Sequence, residues 1–144
     1  MTTSLEDNTY WTLVQVAIRS KHDFAGLAEL YDLSVMQLVT LCSLEPNAEV
    51  PMNRVSCFLG CDASNVTGIV DRLVGRGLII RTESREDRRV KVIHLTDKGV
   101  QLRRHAVSEI AAAQPESMSS LTNEEFKQFN YLLKKALLSK PKAG

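Results

Sequence analysis

The stretch Gly60-Cys61-Asp62 constrains this chain more than any other. Before it, Met52 to Leu59 reads as a short helix, with Pro51 near the first position, where a missing backbone N–H costs nothing. After it, Ala63 to about Gly75 reads as a second helix. There Val66, Ile69, Val70 and Leu73 recur at spacings of three and four, the period of a buried helical stripe. Gly60 is free to take the left-handed φ that closes a helix. Asp62 is a strong N-cap, because its carboxylate can accept from the orphan N–H groups of the next turn. Two helices about so short a turn match a helix-turn-helix pattern. The face opposite the apolar stripe carries Ser64, Asn65, Thr67 and Gly68, which are small or hydrogen-bonding and without bulky charge.

Gly75-Arg76-Gly77 ends the second helix and leads into two short apolar runs, Leu78 to Ile80 and Val90 to Leu95. Between them, Glu83 to Arg89 holds three arginines and three acids in seven residues, with no Gly and no Pro. A tight two-residue hairpin would use Asn-Gly or a similar pair, since its turn needs positive φ. This tip is instead long and charged. A hairpin directly after a recognition-type helix is the order of a winged helix. With the second helix in a major groove, the tip reaches phosphates or the adjacent minor groove, whose negative potential attracts arginine. Arg85, Arg88 and Arg89 supply the charge, and Asp87 can brace Arg89.

The charge distribution agrees with this but does not decide it. The formal net charge is +1, yet Asp71 to Arg104 carries ten basic and five acidic residues, a net +5 against −4 for the rest. A basic segment on an acidic body is the footprint of a polyanion binder. Charge runs are more often solvated faces, so the segment alone selects neither.

The other elements are helical. From about Asn8 to Leu30, Trp11, Val14, Ala17, Ile18, Phe24, Leu27 and Ala28 keep a helical period, with a polar interruption at Ser20 to Asp23. Ser34 and Gln37 form a capping box flanked by Leu33 and Leu38, which starts a helix running to about Leu44. Glu45-Pro46-Asn47 ends it. Thr96 caps a long helix that Pro115 bends or ends. Thr122 and Glu125 form a second capping box ahead of the stripe Phe126, Phe129, Leu133, Ala136 and Leu137. Lys140 to Gly144 reads as a frayed tail. The chain is therefore expected to be mainly α with one small β-hairpin, and its 144 residues fit a single domain.

Several function classes drop out. No run of eighteen apolar residues exists, so no transmembrane helix and no membrane partner are expected. The start MTTSLEDNTYW lacks the basic and apolar regions of a secretory signal. Three cysteines cannot all pair within one chain, so reduced thiols in a cytoplasm are expected. There is no G-x-S-x-G, Walker loop or dinucleotide fingerprint, and no enzyme activity or cofactor is expected. His22, His94 and His105 are isolated, without metal-ligand spacing, so no metal site is expected.

Asp62 to Gly99, DASNVTGIVDRLVGRGLIIRTESREDRRVKVIHLTDKG, resembles the core of the MarR (multiple-antibiotic-resistance) family of bacterial regulators. The D-x-R…L-T-x-x-G wing pattern is present as Asp87, Arg89, Leu95, Thr96 and Gly99. The end of the recognition helix is present as Val70-Asp71-Arg72-Leu73 with Gly77-Leu78. The resemblance implies one MarR-type domain over residues 1–144, with a winged helix-turn-helix DNA-binding lobe at 32–99 and dimerisation helices at 1–31 and 100–144. It implies a homodimeric repressor bound to pseudo-palindromic double-stranded DNA. Ser64, Asn65, Thr67 and Gly68 would then face bases, Arg72 the backbone, and Arg89 the minor groove, braced by Asp87. Asp71 would pair with a nearby arginine. Gly68 departs from the family, where a longer polar side chain is common, and its bare backbone permits close approach. The resemblance also implies release by a small aromatic or phenolic effector, in a pocket for which Trp11, Ile18 and Met36 are candidates.

Side-chain chemistry fits these roles independently. Asparagine bonds adenine through two atoms, and Ser and Thr hydroxyls bond either base class. Cysteine leaves two readings open. Family thiol sensors place the reactive Cys in the first helix, which here has none, so Cys57 and Cys61 read as structural. The alternative is a redox-responsive regulator of the same fold that uses one of them, which would require exposure and a lowered pKa.

Overall fold

The computed structural model describes residues 4–138. Its elements run α1 (Thr9–Glu29), α2 (Val35–Ser43), β1 (Val50–Pro51), α3 (Met52–Leu59), α4 (Ala63–Gly75), β2 (Ile79–Glu83), β3 (Lys91–Leu95), α5 (Asp97–Ala112) and α6 (Asn123–Leu137). The chain divides into two compact units. One is formed by the residues before Phe24 and after Ala113, the other by Phe24–Ala113. The tail expected at Lys140 to Gly144 lies outside the described residues.

The Phe24–Ala113 unit holds the core. Leu38, Leu41, Leu44, Val66, Val70, Leu73, Leu78, Ile79 and Ile93 are buried together. The α4 stripe is the centre of this set, with Val70 and Leu73 fully buried. Truncation of such a leucine to alanine costs about 2–5 kcal/mol. Both capping boxes form as expected, at Ser34/Gln37 and Thr122/Glu125, and Asp62 and Thr96 each accept from a backbone N–H at the start of their helices.

Three helix ends share one closing geometry. At α3, Cys61 N–H donates to Ser56 O and Gly60 has φ +61°. At α4, Leu78 N–H donates to Leu73 O and Gly77 has φ +68°. At α1, Leu33 N–H donates to Ala28 O while Asp32 takes φ +53°. These are left-handed caps that satisfy carbonyls orphaned at a helix C-terminus. Asp32 fills the glycine role because short polar side chains tolerate that region.

Helix α1 runs as one helix through its polar stretch Ser20–Asp23, as expected, since a polar run without Gly or Pro does not break a helix. Two details differ from the sequence expectation. Helix α2 stops at Ser43, with Leu44 already extended. The hairpin is the larger part of a three-stranded antiparallel sheet of order β1-β3-β2, because Val50 and Pro51 pair with Ile93 and Val92. Proline is tolerated there because β1 is an edge strand.

The junction between α4, the sheet and α5 explains the L-T-x-x-G pattern. Leu78 O accepts from Thr96 N–H at 3.1 Å, and Thr96 Oγ1 donates to Gly77 O at 2.6 Å. Gly99 lies directly over the same carbonyl: a Cβ built there would stand 1.9 Å from Leu78 O. Only glycine lets α5 begin this close to the end of α4. Gly99→Ala is expected to lower the unfolding free energy by about 3 kcal/mol or more, measured by urea denaturation. A variant of wild-type stability would show that the junction yields freely.

In the other unit, α6 begins at its capping box and has no buried residue. Phe126, Tyr131, Leu132, Leu133 and Leu137 are all exposed, as are Tyr10, Trp11, Leu13 and Ile18 of α1. Asp23 Oδ2 accepts from Ser117 N–H at 3.0 Å. The nearby Ser117 side chain first, then that backbone bond, hold the carboxyl below the usual aspartate range.

Candidate nucleic-acid interface

Helix α4 presents two faces of opposite character. Val66, Val70 and Leu73 point into the core, while Ser64, Asn65, Thr67, Gly68 and Arg72 are exposed. The exposed groups are not equally available. Ser64 Oγ donates to Asp62 Oδ1 at 2.8 Å, and Asn65 N–H donates to the same oxygen at 2.9 Å. The Asn65 backbone bond first, then the Ser64 hydroxyl, keep Asp62 below the usual aspartate range. Thr67 Oγ1 donates back to Ala63 O at 2.9 Å. Both hydroxyls have therefore spent their proton internally and offer only lone pairs outward. The Asn65 side-chain amide has no hydrogen bond among the described residues. It keeps the donor and the acceptor that a bidentate base contact requires.

At Gly68, an added Cβ would meet nothing within 4 Å. The fold itself does not require glycine there. The open space faces outward, so any requirement must come from something outside the chain.

The wing tip closes without a glycine turn. Ser84 N–H donates to Val90 O at 2.9 Å and Val90 N–H to Asp87 O at 2.9 Å, so residues 84–90 form a compact charged loop. Asp87 organises it. Its Oδ1 accepts from Arg89 N–H at 3.0 Å and from Arg89 Nε at 3.2 Å, and its Oδ2 accepts from Arg89 Nη2 at 3.3 Å. Arg89 remains 90% exposed. An exposed pair adds little to stability; this one holds a guanidinium in a fixed direction. Arg88 is exposed and without an ionic partner among the described residues. Arg85 lies 3.5 Å from Glu49. Glu49 stands just before β1, the strand that sequence reasoning missed; its position beside the wing follows from the β1–β3 pairing, which two residues could not announce.

Helix and wing are joined directly. Arg81 on β2 donates to Asp71 Oδ1 on α4 at 2.6 Å, the arginine partner expected for Asp71. Lys91 and Glu83 pair across the two wing strands at 3.0 Å.

The remaining candidates separate. Cys57 is exposed, whereas Cys61 packs against the core and its Sγ lies 3.5 Å from Leu59 O. Cys42 is half-buried, and burial pushes its thiol up despite Arg103 nearby. That makes it a poor nucleophile. Among the pocket candidates, Ile18 borders a cavity of about 550 Å³ with Arg19, His22, Asp23, Glu116, Ser117 and Ser119. Trp11 does not line that cavity, and half-buried Met36 belongs to the other unit.

A helix-turn-helix followed by an arginine-tipped wing, the two bridged by an ion pair, defines a winged-helix protein of the DNA-binding type. The sequence profile of the MarR family matches residues 33–91. The HTH-type transcriptional regulator MgrA of Staphylococcus aureus is 33% identical over 107 residues, covering 74% of this chain and 71% of MgrA. Transcriptional repressor MprA of Escherichia coli K12 is 35% identical over 102 residues, 71% of this chain but only 57% of MprA's length. Two solved structures share the fold at 25% identity. A MarR variant from E. coli complexed with operator DNA superposes with TM-score 0.74 over 92% of this chain and 96% of that one. CouR from Rhodococcus jostii RHA1, bound to p-coumaroyl-CoA, superposes with TM-score 0.78 over 99% and 100%. The chain belongs to the MarR family. It is a DNA-binding transcriptional regulator. Among the described residues, no helix is long and apolar enough to cross a membrane.

The brace makes a prediction about pH. The Arg89 side chain first, then its backbone N–H, hold Asp87 below the usual aspartate range. A lowered pKa means that the brace is complete above the ordinary aspartate value and is lost as pH falls through the lowered one. A carbon-detected NMR titration should therefore find Asp87 titrating below the ordinary aspartate value, with Arg89→Ala moving it back up. An Asp87 pKa unaltered by that substitution would show that the brace does not form in solution.

Proposed function

We propose that the chain is a homodimeric repressor that reads a pseudo-palindromic operator with α4 and the wing, and is released by a small aromatic or phenolic ligand. The observation that carries this is the pairing of an unengaged Asn65 amide on α4 with a braced, exposed Arg89 on the wing. The first supplies base readout and the second a cation directed at the duplex. Ser64 and Thr67 accept from base amines, Arg72 meets the backbone, and Arg85 and Arg88 add phosphate contacts.

Dimerisation is supported by the apolar side chains exposed on α1 and α6. A single chain leaves Trp11, Leu13, Phe126, Leu132 and Leu133 in water, a concentration that marks an association surface. On this reading residues 1–31 and 100–144 supply the dimer contacts and 32–99 the DNA-binding lobe. Two copies place their α4 helices in successive major grooves, about 34 Å apart. The repressor role is supported by the resemblance to MprA, and the ligand by the fold shared with CouR in its p-coumaroyl-CoA complex. A ligand favouring a dimer with mismatched lobe separation lowers operator affinity by that difference in affinity and no more. A cytoplasmic location follows from the DNA target.

Fluorescence anisotropy on a duplex recovered from a random pool tests the assignment. Binding should weaken steeply with salt, at two chains per site. Arg89→Ala should cost about 1–3 kcal/mol and flatten the salt slope by about one. Gly68→Ala should stabilise the fold by about 0.5–1 kcal/mol, since alanine is the better helix former in open space. It should also weaken operator binding, since the added methyl faces the duplex. Undiminished binding by both variants would remove this surface from the interface.

A further inference from the structure

Arg76 reads in sequence as the centre of a glycine-flanked helix stop. In the structure its side chain has a second task. Nη1 donates to Tyr31 O at 2.8 Å and also to Asp32 O, both just beyond the C-terminus of α1. Asp32, which carries one of them, has the left-handed φ of +53°. The turn after α1 is thus gripped by the guanidinium of the residue that caps the recognition helix. The Arg76 carbonyl is held in turn by Lys98 Nζ from the first turn of α5, at 2.9 Å. Arg103 repeats the device at α2, with Nε donating to Cys42 O at 3.2 Å and Nη2 to Glu45 Oε1 at 2.7 Å. The turn after α1 and the end of α2 are each gripped by an arginine from a distant part of the chain.

We infer that Arg76 is a positioning residue for base readout, its guanidinium fixing the tilt of α4 against the α1–α2 turn. This rests on the DNA-reading role of α4 proposed above. The leverage is geometric. Asn65 stands eleven residues from Arg76, or roughly 16 Å along the helix at 1.5 Å per residue. A tilt of roughly 5° about the Arg76 end moves the reading residues by about 1.4 Å, enough to break a base hydrogen bond. Phosphate contacts from the long wing arginines tolerate such a shift and carry no sequence information. Loosening Arg76 therefore removes discrimination and spares non-specific affinity.

The test compares wild type, Arg76→Ala and Arg76→Gln on the selected duplex and on a scrambled duplex of equal composition, at two salt concentrations, with thermal melting alongside. The ratio of the two affinities should fall about tenfold in Arg76→Ala, the order of one lost base contact. Affinity for the scrambled duplex and its salt slope should stay unchanged. Arg76→Gln, which offers one short uncharged donor group, should fold if alanine does not, and should still lose at least threefold. A lowered melting temperature with an intact ratio would make Arg76 purely structural and overturn the inference. So would equal weakening on both duplexes. Wild-type protein that fails to discriminate would instead overturn the DNA-reading role itself, and the inference with it.

Discussion

The structure depends on how closely α5 approaches the end of α4. Leu78 O receives the Thr96 N–H, Thr96 Oγ1 reaches Gly77 O, and Gly99 leaves no side chain to push the two apart. That contact sets where β2 and β3 depart, and so where the wing stands relative to the exposed face of α4. The Asp71–Arg81 pair then fastens the two surfaces side by side. The exposed face of α4 and the base of the wing are thereby parts of one body, as the proposed joint readout of bases and phosphates requires.

Availability of each polar group is set by local bookkeeping of protons. Ser64 and Thr67 have committed theirs to Asp62 and to the Ala63 carbonyl, which strengthens the first turn of α4 and limits them to accepting. Asn65 has not, and Arg89 is held by Asp87 without being covered. The proposed division of labour follows from these contacts: directional readout from a short, pre-oriented amide, and affinity from exposed guanidinium groups whose energy is mostly electrostatic.

Much of this was legible in the sequence because it is written in local signals. The caps at Ser34, Asp62, Thr96 and Thr122 occur where three- or four-residue patterns place them, and the α4 stripe is the buried face. The Asp87–Arg89 brace and the Asp71–arginine pair follow the same short-range logic. What the sequence hid depends on long-range placement. Val50 and Pro51 are too few to show a strand period and become one only through pairing with β3. Asp32 carries no glycine to mark its left-handed turn. Arg76 and Arg103 find their acceptors more than forty residues away, among carbonyls that any residue type supplies.

The central claim is that α4 and the wing engage the same duplex through different grooves. Methylation interference on the selected duplex tests it directly, because guanine N7 lies in the major groove and adenine N3 in the minor groove. The account predicts two blocks of guanine interference about one helical turn apart, each flanked by adenine interference where a wing sits. Interference confined to one groove, or none at either base despite tight binding, would contradict it.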